Sequence, residues 1–306
     1  MSPPTIKTRI LILSDTHTHP PFPSSPSSPS QPPLPYTSPL PPSDILIHSG
    51  DLTLSGRLPE YNSTYNWIAA HPATLKLVIP GNHDVSLDEG WGVWRGEEAR
   101  GRGVVFLEEG VWRGEVGNGA GVRVYSSPYT PEYQDWAFPY PRHIDRFNPT
   151  PSSNTTLPAT NPIPAHPAID IIITHGPPKN ILDKTYPSNS HVGCSHLLKA
   201  VSRCKPRLHC FGHIHEGWGA ERMNWGTGEV RRVEVAQREK VVREKGAYVD
   251  LSERSGEGLR WGEETVFVNA SIMDVGYKAV NAPWIVDLDL PVWGEIGKPE
   301  DDELGG

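Results

Sequence analysis

Short apolar runs separated by polar loops dominate the chain, and they predict strands buried on both faces. In the first third we expect strands at Arg9–Ser14, Asp44–His48 and Leu75–Ile79. The segment Tyr61–His71 lies between the second and third runs and has the periodicity of a crossover helix. This β-α-β order predicts a sheet with parallel strands that is covered by helices.

The rest of the chain continues this pattern at wider intervals. We expect one further helix at Gly193–Ser202. We also expect six further strands, at Val104–Leu107, Val122–Tyr125, Ile169–Thr174, Arg207–Phe211, Thr265–Asn269 and Trp284–Leu290. A chain of 306 residues is long enough for one large α/β domain with a substantial core. We therefore expect a single domain over residues 1–306.

Three segments interrupt the pattern. Residues 18–43 and 148–167 contain Pro- and Ser-rich runs with few large apolar groups. Such runs predict mobile or polyproline-like loops, and a plain spacer is favoured over a partner-binding motif. Residues 220–263 carry charges of both signs and little apolar content, which predicts a solvated insertion, either a hairpin or a helix.

Composition narrows the range of partners. The formal net charge is −8 and no basic stripe is visible, so a long nucleic acid is disfavoured as substrate. Small phosphorylated molecules stay open, because a metal site adds positive charge that the residue count omits. Cys194, Cys204 and Cys210 are too few for a secreted disulfide framework and predict buried free thiols. The N-terminal apolar run Ile10–Leu13 is too short for a signal peptide or a membrane span, so we expect a cytoplasmic protein.

Polar residues follow five of the predicted strands, at the point where each strand ends. The five groups are Asp15-Thr16-His17, Gly50-Asp51, Gly81-Asn82-His83-Asp84, Thr174-His175-Gly176 and Gly212-His213-Ile214-His215. Ligands of open α/β sheets bind outside the carboxyl ends of the strands. A common site is therefore the simplest explanation for the five groups.

The residue types in these groups indicate metal chemistry. Asp and Asn oxygens together with imidazole nitrogens suit Mn²⁺, Fe, Zn²⁺ or Mg²⁺ rather than Cu(I) or an iron–sulfur cluster. Three Asp or Asn oxygens and four imidazoles give seven potential ligands, which exceed the needs of one ion. Two ions roughly 3.5–4 Å apart with a bridging carboxylate would use them all. Each group alone is explained better by a turn, a cap or a structural histidine pair. The five groups in this order favour the metal interpretation.

The ordered set DTH, GD, GNHD, THG and GHIH resembles the calcineurin-like metallophosphoesterase superfamily over Asp15–His215. Further segments resemble its metallophosphoesterase-domain-containing branch, namely Gly50–Thr53, Ser127–Tyr129, Trp136–Phe138, Thr174–Pro178, Gly212–Gly217 and Val268–Ser271. The resemblance implies a four-layer α/β fold, in which a two-sheet β-sandwich is flanked by helices and the metals lie at one edge.

The same resemblance implies a role for each motif residue. Asp15, His17 and His215 would bind the first metal. Asn82, His175 and His213 would bind the second metal, and Asp51 would bridge the two. His83 would be the general acid or an electrostatic support, while a metal-bridging hydroxide attacks phosphorus in line. We expect Mn²⁺ in vitro, with Fe, Zn²⁺ or Mg²⁺ as alternatives.

The sequence narrows the range of substrates found across the superfamily. Gly50–Gly56 reads GDLTLSG and lacks the Asp-Arg pair of the protein phosphatases in this superfamily, so a protein substrate is disfavoured. The branch resemblance implies phosphodiesters, with cyclic nucleotides among the candidates. Tyr129, Trp136 and Phe138 could stack on a base, and packing beneath a loop is the alternative. A phosphomonoesterase and a metal-binding scaffold with little activity remain alternative functions.

Three polar residues near the motifs have open roles. Asp84 either caps the helix that follows it or orients a neighbour in the site. His48 is expected in the core or beside the metal ligands. His191 lies on the loop after His175 and is the histidine outside the motifs with the best chance of touching substrate.

Overall fold

The computed structural model describes residues 4–23, 32–88, 94, 97–149 and 159–296. Its strands are β1 Thr5–Leu13, β2 Ile45–Ser49, β3 Leu75–Ile79, β4 Val104–Phe106, β5 Gly110–Glu115, β6 Gly121–Ser127, β7 Thr130–Pro131, β8 Pro139–Tyr140, β9 Ile171–Thr174, β10 Leu208–Phe211, β11 Gly219–Asn224, β12 Val230–Arg232, β13 Ala247–Asp250, β14 Glu264–Asn269 and β15 Trp284–Pro291. Its α-helices are α1 Leu58–Ala70, α2 Val85–Asp88, α3 Glu97–Gly101, α4 Ser195–Cys204 and α5 Arg238–Glu244. Each strand and helix expected from the sequence has a counterpart within a few residues.

Two mixed sheets form the centre of the molecule. The first has the order β13-β15-β1-β2-β3-β4, in which β1 to β4 are parallel and β15 is antiparallel to β1. The second has the order β12-β11-β14-β10-β9-β6-β5, in which β14, β10, β9 and β6 are parallel. The parallel strands that carry the motifs therefore lie side by side within each sheet.

The inner faces of the two sheets pack against each other. Ile10 and Ile12 of β1 share one apolar cluster with Ile171 and Ile173 of β9, and all four are fully buried. Successive residues of a strand point to opposite faces, so the intervening residues face outwards towards helices. Burial on both faces explains why these strands are continuous apolar runs.

Helices cover the outer faces. Leu11 of β1 packs in a cluster with Tyr61 and Ile68 of α1, and Ile172 of β9 packs in a cluster with Leu197 of α4. The order helix, sheet, sheet, helix confirms the predicted four-layer α/β sandwich.

Residues 220–263 are more integrated than the sequence suggested. They form β11, β12, α5 and β13, so they contain a hairpin and also a helix. β11 pairs with β14 and with β12, and β13 pairs with β15, so the segment supplies β12 and β13 as the edge strands of the two sheets. The expected hairpin and helix are thus both present, as β11–β12 and α5. The pairing with both sheets was not expected, because strands near a sheet edge need few apolar residues to pair through their backbones. β5 was also missed, since Gly110–Glu115 has two glycines and no continuous apolar run.

The two Pro-rich segments are only partly described. Residues 24–31 and 150–158 lie outside the described residues. The described flanks of the first segment pack onto the domain: Tyr36 is fully buried and its hydroxyl donates to the His19 carbonyl at 2.9 Å.

The three cysteines are buried free thiols, as predicted. Within the described ranges, no helix is long and apolar enough to cross a membrane.

Candidate metal centre

Five strand ends meet where the two sheets share an edge. Asp15 follows β1, Asp51 follows β2 and Asn82 follows β3 in the first sheet. His175 follows β9 and His213 follows β10 in the second sheet. These five strands point their carboxyl ends towards this edge, which brings the motif side chains together.

The first set of side chains combines both sheets. His17 Nε2 lies 3.4 Å from His215 Nε2, and His215 Nε2 lies 3.5 Å from Asp15 Oδ1. One ligand atom from each of these three residues lies within 4.8 Å of the other two. This spacing fits three ligands of one metal ion.

The second set lies next to the first. His175 Nε2 lies 2.9 Å from Asn82 Oδ1, and the rings of His175 and His213 are 5.0 Å apart between centroids. Asp51 faces both sets, because its Oδ1 lies 3.3 Å from His175 Nε2 and its Oδ2 lies 3.6 Å from His17 Nε2. The carboxylate of Asp51 thus faces one imidazole in each set.

The imidazoles are oriented as metal ligands usually are. The Nδ1 atoms of His17, His175 and His215 lie 3.1, 3.0 and 3.0 Å from the carbonyl oxygens of Thr53, Ser49 and Asp274. A carbonyl can only accept, so each Nδ1 carries the proton and each Nε2 presents its lone pair to the site when the ring is neutral. A histidine that binds a metal commonly donates its other N–H to such an acceptor. These donors therefore fit two divalent ions.

The backbone around the ligands is strained. Asp15, His17, Asp51 and His213 have φ values of 51°, 42°, 53° and 65°, in the left-handed region. Each such residue costs on the order of 1–3 kcal/mol, and strain of this kind concentrates at functional sites. A methyl group on Gly212 would collide with the Asp15 carboxylate and the Ser14 hydroxyl. Only glycine leaves room for Asp15 there.

Charge and burial divide the imidazoles into two kinds. Burial lowers the pKa of His17 and of His213 to about 4, so both rings are neutral at physiological pH. Burial would also lower the pKa of His175 and of His215, but the carboxylates beside them outweigh it. Asp51 raises the pKa of His175 to about 9, and Asp15 raises that of His215 to about 9. Each set thus contains one neutral and one protonated ring before a metal binds.

Asp84 orients the motif loops. Its carboxylate accepts hydrogen bonds from the backbone N–H groups of Leu52, Thr53 and Gly81 at 3.0, 2.9 and 2.8 Å, and from the Thr53 hydroxyl at 2.7 Å. Burial raises the pKa of this carboxyl to about 7, and the charge of Asp51 raises it too. Asp84 also immediately precedes α2, but its side chain bonds away from that helix. Of the two roles expected for it, the contacts favour orienting its neighbours.

Two buried histidines support the ligand loops from within the sheets. His48 Nε2 lies 2.9 Å from the Thr16 hydroxyl, and His209 Nε2 lies 2.9 Å from the Thr174 hydroxyl. Both rings are fully buried, and burial lowers the pKa of each to about 3. His48 was expected in the core or beside the metal ligands, whereas no sequence signal indicated the contact of His209 with Thr174.

His83 lies beside the bridging carboxylate. Its backbone N–H donates to Asp51 Oδ1 at 2.9 Å, and its Nδ1 lies 2.8 Å from the Leu54 carbonyl. The Trp136 ring is stacked on the imidazole at 4.0 Å between centroids, and the His17 ring meets it edge-on at 4.7 Å. His83 is therefore fixed in orientation, with Nε2 as the atom left to act on a substrate.

A cavity of about 670 Å³ opens over this centre. Its lining combines Asp51, Asn82, His83, His213 and His215 with the aromatic residues Tyr129, Tyr133, Trp136, Tyr186 and Tyr277 and the charged residues Glu132, Arg142 and Glu216. His191 is not among the lining residues, and it pairs instead with the buried carboxylate of Asp183. Direct contact between His191 and a substrate is thus not supported.

The three aromatic residues expected to stack on a base are mostly engaged by the protein. Tyr129 is covered by the Arg146 guanidinium at 3.5 Å and meets Phe138 edge-on at 5.7 Å. Phe138 is buried, and Trp136 lies against His83. Packing therefore explains these aromatics better than base stacking does.

The comparison with known proteins agrees with this arrangement. The model of the family described as calcineurin-like phosphoesterase matches residues 8–217, and the chain belongs to that family. Membership of this family implies a metal-dependent phosphoric ester hydrolase. Within the family it falls in the metallophosphoesterase-domain-containing branch: it is 30% identical over 307 residues to metallophosphoesterase domain-containing protein 1 of Homo sapiens. That match covers 93% of this chain and 72% of the human protein, and the Mus musculus protein gives the same values.

A second kind of relative is much longer. The chain is 34% identical over 222 residues to the probable rhamnogalacturonate lyase C of Emericella nidulans. The match covers 71% of this chain but only 18% of that relative. The chain therefore matches only a small part of that protein.

Proposed function

We propose that the chain is a binuclear phosphoesterase that hydrolyses phosphodiesters, with cyclic nucleotides as candidate substrates. The observation that carries this proposal is the position of Asp51, whose two oxygens face His175 and His17 in different ligand sets. A carboxylate shared between two sets is what a two-ion site requires. Asp15, His17 and His215 would hold one ion, and Asn82, His175 and His213 would hold the other.

The ions, when bound, supply positive charge to the phosphoryl oxygens and make a bound water more acidic. The chain supplies the remaining groups. His83 is held by Leu54 and Trp136 beside Asp51. Its Nδ1–H is taken by the Leu54 carbonyl, so Nε2 can donate a proton to the leaving oxygen when the ring is in its imidazolium form. A positioned proton donor typically contributes 10²–10⁴-fold to the rate.

The shape and charge of the cavity support a diester with one phosphate. About 670 Å³ is ample for a second organic group beside the metals, and pockets for small molecules span ≈ 300–1,000 Å³. Among the described lining residues, Arg142 is the one lysine or arginine, and its guanidinium donates to the Val192 and Gly193 carbonyls. Glu132 and Glu216 add negative charge, which disfavours substrates with further phosphates.

The test compares a generic aryl phosphodiester with the matching monoester. The protein is stripped with chelator and reconstituted with Mn²⁺, and His83→Ala is assayed beside the exposed control His143→Ala. We expect diester turnover that depends on metal, that falls 10²–10⁴-fold in His83→Ala at unchanged metal content, and that persists in the control.

The other outcomes identify the alternatives. Turnover of the monoester alone would indicate a phosphomonoesterase. Two bound metals with no turnover of either ester would favour a metal-binding scaffold. If metal content falls together with activity in His83→Ala, then His83 is a structural residue.

Cytoplasmic location remains a prediction, which the buried free cysteines favour.

A further inference from the structure

A tyrosine that no motif includes covers the metal-ligand imidazoles. The ring of Tyr277 lies 5.0 Å from the ring of His17 and 5.2 Å from that of His215, measured between centroids. It lies 6.2 Å from the ring of His83. Tyr277 therefore stands over the first ligand set and beside the proposed proton donor.

The loop that carries Tyr277 is tied to the metal centre. Asp274 Oδ1 accepts the backbone N–H groups of Gly276 and Lys278 at 2.8 and 2.9 Å, which closes a tight turn around Tyr277. The carbonyl of the same Asp274 accepts from His215 Nδ1 at 3.0 Å. The position of the turn is thus coupled to a ligand of the first set.

The conformation of Tyr277 is one that a bulky residue adopts rarely. Its φ is 55°, in the left-handed region, where a glycine would avoid a cost on the order of 1–3 kcal/mol. The side chain is 46% exposed and lines the cavity, so burial of its ring is not enough to explain the strain. Its hydroxyl makes no hydrogen bond to any described residue. A donor with no partner among the described residues is thus held at the mouth of the site.

We propose that the Tyr277 hydroxyl donates a hydrogen bond to a phosphoryl oxygen of the bound substrate. The proposal rests on the proposed function, because it places the phosphoryl group at the two ligand sets. Tyr277 would be a substrate-binding residue that complements the ions without contacting them. A hydrogen bond to a charged group changes affinity by roughly 10- to 100-fold.

Inorganic phosphate is the probe that tests this contact without turnover. Calorimetry would measure its Kd for the Mn²⁺-loaded wild type, for Tyr277→Phe and for Tyr277→Ala. Tyr133→Phe is the matched control, since it removes a phenolic hydroxyl from the rim of the same cavity, where Tyr133 is 69% exposed. Metal content is measured for every sample.

We expect Tyr277→Phe to weaken phosphate binding roughly 10- to 100-fold at unchanged metal content. Tyr277→Ala should weaken it at least as much, and Tyr133→Phe should bind as the wild type does. Equal Kd values for Tyr277→Phe and the wild type would overturn the proposal. Loss of metal from Tyr277→Phe would also overturn it, because the residue would then act by holding His17 and His215.

Failure of the proposed function gives a different result. If the wild type binds phosphate, with the expected loss in Tyr277→Phe, but hydrolyses neither ester, then the contact stands and the enzymatic proposal fails. If the wild type hydrolyses the diester and Tyr277→Phe binds phosphate normally, then only the role of Tyr277 is wrong. If the wild type binds two metals but no phosphate, then the proposed contact of Tyr277 with a phosphoryl oxygen is also wrong.

Discussion

Binding of two metals should expel about two protons from the protein at neutral pH. Each ligand set contains one imidazole with a pKa of about 9, His215 in the first set and His175 in the second. A metal binds the neutral ring, so the proton on that ring must leave when the ion arrives. The partner rings of His17 and His213, with pKa values of about 4, are already neutral and release none.

The magnitude follows from these values. At pH 7.5 a group with a pKa of about 9 is roughly 97% protonated, so about one proton leaves with each ion. Asp15 and Asp51 release none, because hydrogen bonds and charge from the histidines outweigh burial and hold the pKa of each carboxyl below its usual value. The apparent affinity should rise about tenfold per pH unit for each ion and level off above about pH 9.

Calorimetry of Mn²⁺ binding in two buffers with different ionisation enthalpies counts these protons. Measurements at pH 6.5 and 7.5 limit the contribution from ionisation of a bound water, which is smaller at the lower pH. We expect about two protons from the imidazoles at pH 6.5, where both rings are still protonated, and at most one more from Asp84, whose pKa is about 7. A count near zero, or an affinity that does not change between pH 6 and 8, would refute the electrostatic account of His175 and His215.

Three further predictions concern two residues around the site and the effect of bound metal on stability. Gly212→Ala places a methyl group against the Asp15 carboxylate and should remove metal from the first set, whereas Gly101→Ala, with open space around it, should retain both ions in elemental analysis. Asp84→Asn turns one acceptor into a donor that faces backbone N–H groups, and it should lower the free energy of unfolding of the chelated protein by about 1–3 kcal/mol in a urea titration. Mn²⁺ at a hundred times its Kd should stabilise the fold by about 2.7 kcal/mol per ion; an unchanged urea midpoint between chelated and loaded protein would contradict this.

The layers of the fold were predictable because their strands are buried on both faces. Ile171–Thr174 and Leu75–Ile79 are continuous apolar runs, and the sheets place them centrally. Strands at the edges were not predictable in this way. Val230–Arg232 is exposed at every residue, so it has no apolar pattern and forms only through its pairing with β11.

The candidate site divides along a similar line. The motif residues could be proposed from sequence, because each one directly follows a strand and the strand ends converge. Tyr277 could not, since it lies in a turn sixty-two residues after His215 and its left-handed φ leaves no periodic signal. The Asp274-Val275-Gly276 sequence before it does predict a turn, but not what the turn covers. Likewise, the stacking of Trp136 on His83 depends on long-range packing.

The two sheets support their ligands by the same device. Thr16 stands between two ligands after β1 and contacts His48 on the neighbouring β2, while Thr174 precedes His175 and contacts His209 on the neighbouring β10. Burial closes each histidine ring off within its sheet and lowers its pKa to about 3, so both rings stay neutral. A neutral ring adds no repulsion to the nearby ions, yet it fixes the threonine beside a ligand. Since each ligand set draws on both sheets, symmetric supports of this kind hold the two halves of the site in register before any metal binds.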